Sequence, residues 1–103
     1  MTALISLRLP PECWWFIQVM RAGSTALPLP RDVRVAVSRA PGIEIRTPIP
    51  EPLFVVDMTR PQAEALQLWL RGLLDDLSKN DERRLTCLHC IGRVAVAIML
   101  GEI

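Results

Sequence analysis

The stretch whose residue types are suited to chemistry is Cys87-Leu88-His89-Cys90. Two thiols three residues apart, with an imidazole between them, can hold zinc or form a redox pair. A structural zinc site takes four protein ligands and a catalytic one takes three. Cys13 is the remaining cysteine and His89 the sole histidine. A full ligand set therefore has to draw on Cys13 or on a carboxylate from elsewhere. Neighbouring side chains on a helix point about 100° apart, so His89 turns away from both cysteines. A redox pair lowers its thiol pKa at a helix N-terminus, whereas this motif falls well inside the helix read below. Haem attachment places the histidine after the second cysteine, and here it comes before. The reading is of two structural cysteines, with Cys87 flanking a core stripe and Cys90 packing between helices. A thiol or zinc-binding protein using Cys87 and Cys90 is the alternative.

Trp14-Trp15 is the second candidate. On a strand the two indoles face opposite sides, and on a helix they diverge. One covers the core, and the more exposed one is a candidate interface anchor, since tryptophan is enriched at binding hot spots. Stacking on nucleic-acid bases calls for basic neighbours, and only Arg8 and Arg21 lie close in sequence. Asp75, Asp76, Asp81 and Glu82 read as a solvated turn between helices. The chain has no glycine-rich phosphate loop and no Ser/His/Asp set. The expectation is a non-enzymatic protein with no catalytic residue, no metal ligand and no cofactor.

Composition points the same way. The chain has 103 residues, 50% of them hydrophobic and 22% charged, with a mean hydropathy of +0.28. That is apolar for a small domain, which has much surface to cover with polar groups, and it raises the expectation of a homodimer or a larger protein partner. Net charge is +1. Eleven of the twelve basic residues are arginine but they do not cluster, so an Arg-based nucleic-acid-binding protein stands only as a further alternative. Three cysteines give no even-numbered disulfide framework, which fits a reducing, cytoplasmic setting. The uninterrupted apolar run Val94 to Leu100 is far shorter than the roughly 18 residues of a membrane span, and the N-terminus does not read as a signal peptide. In size and make-up the chain looks like a small bacterial or phage accessory protein.

These residues must be positioned by a single α+β domain over 1–103. Alternation of Ile5, Leu7 and Leu9 with Ser6 and Arg8 predicts a half-buried strand over 2–9. Residues 12–22 read as a helix closed by Gly23, with a strand as the alternative because Cys13 to Ile17 has strand composition. Val33, Val35 and Val37 alternate with Arg34 and Ala36, which predicts a strand over 32–38. A Pro41-Gly42 turn would lead to a returning strand over 43–46, with Ile43 and Ile45 inward. The stretch 47–52, with three prolines, reads as extended backbone. A continuous apolar strand over 53–58 is expected at the centre of the sheet.

Two helices close the chain. Thr59 and Gln62 have the spacing of a capping box, and Pro61 suits the first turn of a helix over 60–78. Asn80 or Asp81 can cap a second helix over 81–100. The short connection makes the two antiparallel neighbours. The predicted order is β-α-β-β-β-α-α, a mainly antiparallel sheet covered by a C-terminal helical hairpin. Leu66, Trp69, Leu70, Leu73, Leu85, Leu88 and Ile91 are expected to be buried beneath the hairpin. The final turns of the second helix are apolar nearly all round. Val94, Ile98 and Leu100, with Trp14 or Trp15, are therefore the expected self-association surface.

Overall fold

In the computed structural model, which describes residues 3–23, 29–45 and 51–101, the chain is an α+β domain. Strand β1 (Leu4–Leu9) leads to helix α1 (Pro11–Gly23) and helix α2 (Arg31–Ser38). Strands β2 (Gly42–Ile45) and β3 (Pro52–Thr59) follow, and helices α3 (Arg60–Asp76) and α4 (Arg83–Gly101) complete it. The sheet order is β1-β3-β2 and both pairings are antiparallel. The 53–58 strand is central, as its apolar run implied.

Sheet register follows from alternation. Ile5 pairs with Met58, Leu7 with Val56 and Leu9 with Phe54. Ile5, Leu7, Leu9, Val56 and Met58 are buried, with Phe54 packed at their margin. The opposite face carries Ser6, whose hydroxyl donates to Asp57 Oδ1 at 2.6 Å, and Arg8, which reaches Glu44 at 3.0 Å. One face is core and the other is solvated, the ordinary state of an antiparallel sheet. Ile43 and Ile45 lie on the core side of edge strand β2 but reach past the helices. They are exposed, against the expectation that they point inward.

The expected strand over 32–38 is helix α2, so the order is β-α-α-β-β-α-α. The segment satisfies two periods at once: Val33, Val35 and Val37 alternate, while Val33, Ala36 and Val37 share a helical face. The second set is the buried one. Pro30 precedes the helix in extended backbone, and its carbonyl accepts the first helical bond from the Arg34 N–H at 2.9 Å. At the other end Gln18 Nε2 donates to the Val37 carbonyl at 2.7 Å, supplying a partner for a helix-end acceptor. The hairpin therefore joins β2 to β3. Residues 24–28 and 46–50, from the loop and the proline-rich stretch, lie outside the described residues.

The helical hairpin is capped as its sequence implied. Thr59 Oγ1 accepts from the Gln62 N–H at 3.3 Å, and Gln62 Oε1 accepts from the Thr59 N–H at 2.9 Å. Arg84 then ties the two helices together, donating from Nη1 to the Leu74 and Leu77 carbonyls at 2.9 and 3.0 Å. Both acceptors lie at the C-terminal end of α3, where the Leu74 carbonyl also accepts from the Leu77 N–H at 3.3 Å, and a cation there suits the dipole. Asp81 caps α4 by accepting from the Arg83 N–H at 2.9 Å.

Candidate interaction surface

α4 is buried along Cys87, Cys90, Val94 and Ala97. Its direction is set by neighbours along its length. A Cβ on Gly101 would collide with Ile5, Arg93, Val96, Ala97 and Leu100 line a small cleft with Ser6 and Arg8, and His89 Nδ1 lies 3.6 Å from Glu12. The helix thus runs antiparallel to β1, with its first half beside the start of α1.

The cysteines belong to this inner side. All three are free and fully buried. Cys87 donates from Sγ to the Leu70 carbonyl of α3 at 3.2 Å, and burial pushes its thiol up to about 11. Cys90 lies against Cys13 of α1, with its Sγ 3.8 Å from the Cys13 carbonyl. The Cys90 thiol donates to Cys13, which lowers Cys13 from its ordinary value and, with burial, raises Cys90. Both positions are packing positions in a water-excluded seam. Cys87 is the fifth residue of α4 and Cys90 the eighth, away from the dipole's positive end. Among the described residues, no group of three His, Cys, Asp or Glu side chains could hold a metal ion. His89 points outward, as its offset from the cysteines required.

The opposite side of α4 is where structure and sequence reading part. Leu85 and Leu88, expected in the core, are 76% and 48% exposed, and Ile91 is only half-buried. The inward stripe is rotated by about one residue from the one predicted, because the small residues Cys87, Cys90 and Ala97 with Val94 dock against α3, α1 and β1. Small side chains let α4 approach its neighbours, which leaves the larger ones outside. The outward stripe is Leu85, Leu88, Gly92, Val96 and Met99, at steps of three, four, four and three. With about 100° per residue, all five lie within roughly 40° of Gly92. Val96 and Met99 are 52% and 66% exposed. A core helix in a soluble domain ordinarily turns polar residues to water on this side.

The expected interface residues divide accordingly. Val94 is buried, and Ile98 packs half-buried against the core. Leu100 is exposed on the flank of the outward stripe. Trp14 is buried and meets Phe54 edge-to-face, with ring centroids 5.7 Å apart. Trp15 is 59% exposed. It shares the outer face of α1 with Val19 and Glu12, and Glu12 reaches His89 beside the stripe. Trp15 and Val19 are thus exposed apolar residues on the outer face of α1, the helix that meets α4 through Glu12 and His89. The residues missed in the sequence reading are Gly92, Val96 and Met99. Their signal is the second three-and-four pattern, which runs through the same helix out of phase with the buried one.

Gly92 has its own significance. An interior helical glycine costs about 1 kcal/mol relative to alanine. A Cβ at Gly92 would meet no atom within 4 Å, so no contact within the domain asks for glycine there.

Several arginines are engaged within the domain. Arg8 pairs with Glu44, Arg60 with Glu64 and Arg83 with Asp81, and Arg84 binds backbone carbonyls. By length and composition alone α4 is apolar enough to cross a membrane, with a mean hydropathy of 1.4 over its apolar window. Its inner side, however, is part of the folded core. Compared with known proteins, the chain matches no family model, no curated protein and no solved structure.

Proposed function

We propose that the protein is a non-enzymatic interaction module whose docking surface is the outer face of α4. The observation that carries this reading is the exposed stripe Leu85, Leu88, Gly92, Val96 and Met99 on one face of α4. Among the described residues, no buried side-chain N or O atom lacks a hydrogen-bond partner. The stripe gathers four of the exposed large apolar side chains, Leu85, Leu88, Val96 and Met99, on one helix face. Contiguous apolar surface of this kind marks binding sites in soluble proteins. Alternating steps of three and four are the spacing by which one helix seats another. The occupant is an apolar helix of a protein partner. Trp15, at the margin, is suited to anchor it.

The test compares wild type with Leu88→Arg, which places a charge at the centre of the stripe. Wild type should capture a partner from cells of the native host, and the purified partner should bind wild type but not the variant. Equal binding of the partner to both proteins would contradict the assignment. Recruitment of wild type to lipid vesicles, with no protein partner bound through the stripe, would also contradict it.

A further inference from the structure

The stripe has a property that a surface for an arbitrary helix does not need. Its spacing reads the same in both directions about Gly92. Leu85 and Met99 lie seven residues to either side, and Leu88 and Val96 lie four to either side. An antiparallel pair of identical helices crossing at Gly92 on a two-fold axis would set Leu85 of each copy against Met99 of the other. Leu88 would face Val96, and glycine would face glycine. From this symmetry we infer that the helix docking on α4 is α4 of a second copy of this chain. The inference rests on the docking surface proposed above and specifies its occupant.

Three further observations support the second copy. Gly92 is exposed, lies mid-helix and meets nothing within its own domain. Glycine at that point lets two helix backbones come close, and the two-fold crossing is where they come closest. The stripe also contains no charged residue, so the pairing buries none. Charge at its flank is of both signs. Arg93 and its copy would lie on the same side of the crossing, and Glu12, 3.6 Å from His89, brings a carboxylate to that side.

The dimensions set the strength. From Leu85 to Met99 the stripe is about 21 Å long at 1.5 Å per residue. A single helix pair of that length, with Trp15 and Val19 beside it, falls at the lower end of specific interfaces, below about 1,200 Å² in total. The dimer should therefore form in the micromolar range. Isologous contacts of this kind are the commonest closed arrangement.

Sedimentation of the purified full chain from about 1 to 300 µM tests this, an interval set around the affinity that such an interface implies. Wild type should pass reversibly from monomer to dimer. Leu88→Arg and Val96→Glu should each weaken association by more than about tenfold, in line with one charge buried without a partner, while circular dichroism stays unchanged. Mixing the two variants should restore a dimer, because in the antiparallel register residue 88 of one faces residue 96 of the other. In a parallel register residue 88 would face its own equivalent, and mixing would restore nothing. Gly92→Ala should melt higher than wild type under dilute conditions and yet associate more weakly.

Wild type monomeric throughout, variants that dimerise like wild type, or a mixture that stays monomeric would each overturn the inference. So would failure of Leu88→Arg to fold, since that would make Leu88 a core residue. A monomeric wild type would leave the docking surface itself standing on the partner-capture comparison.

Discussion

α3 and α4 are neighbours in one hairpin, and they treat water in opposite ways. α3 buries Ala63, Leu66, Trp69, Leu70 and Leu73 and turns Glu64, Arg71, Asp75 and Asp76 outward. Leu68 is the large apolar exception on its exposed side. α4 buries four small or medium residues and turns Leu85, Leu88, Val96 and Met99 outward. In α3 the folding of the domain accounts for nearly every apolar position. In α4 it accounts for half of them. Exposed apolar residues also occur on β1, α1, α2 and β2, but on α4 four of them share one helical face, and the binding role proposed above would account for that face.

The largest effect is expected in the α3 core. Leu70 is fully buried at the centre of the α3 stripe. Leu70→Ala should destabilise the domain by about 2–5 kcal/mol, as for other leucine truncations in cores. Leu85→Ala, on the exposed side of α4, should change the stability of the dilute protein by less than about 0.5 kcal/mol. Urea titrations of both variants at low concentration check the difference. Comparable losses would place Leu85 in the core.

The inner side of α4 gives the next effect. Replacing Cys87 and Cys90 together by alanine should lower stability by roughly 1–3 kcal/mol, on the scale of other losses of buried side-chain volume. Association should persist in this variant, because both thiols lie on the face turned away from the stripe. Wild type purified without added metal should contain no stoichiometric zinc by elemental analysis, and one equivalent would reassign the pair.

Caps sharpen the comparison at the helix starts. Thr59→Ala removes the side-chain half of the α3 capping box and should lower stability by about 1 kcal/mol, measured by thermal or urea unfolding. The smallest effect belongs to Asp81 at the start of α4. Hydrogen bonds from the Arg83 side chain and backbone N–H hold its carboxyl down at about 2, against an ordinary 3.8. A folded-state value below the unfolded one makes the cap's contribution complete above pH 3.8 and lost as pH falls through 2. Acid titration followed by NMR at Asp81 should show the low midpoint, and Arg83→Ala should return it toward the ordinary value.

Much of this architecture was legible in the residues. The capping box at Thr59 and Gln62, the central position of the 53–58 strand and the α3 core stripe each followed from a local signal. The helix over 31–38 was not legible, because Val-Arg-Val-Ala-Val fits period two as well as it fits a helical face. Only packing against α1, α3 and β3 selects between them, and strand propensity yields to such context. The phase of α4 was hidden for a related reason. Two apolar stripes share that helix, and the leucines looked like core because leucine usually is. The small residues Cys87, Cys90 and Ala97 face inward instead, because close helix approach selects size over hydrophobicity. Trp14 and Trp15 could be separated only by their neighbours, once α1 placed one on Phe54 and the other in solvent.

On the function proposed above, the outer face of α4 serves association rather than the fold of the single chain. Thermal unfolding of wild type and Leu88→Arg over a hundredfold range of protein concentration tests it most directly. Association that involves only the folded state raises the melting temperature with concentration. Wild type should therefore melt higher as it is concentrated. Leu88→Arg should melt at one temperature throughout, matching dilute wild type. A variant that melts well below dilute wild type at every concentration would contradict the account, because Leu88 would then be holding the monomer together.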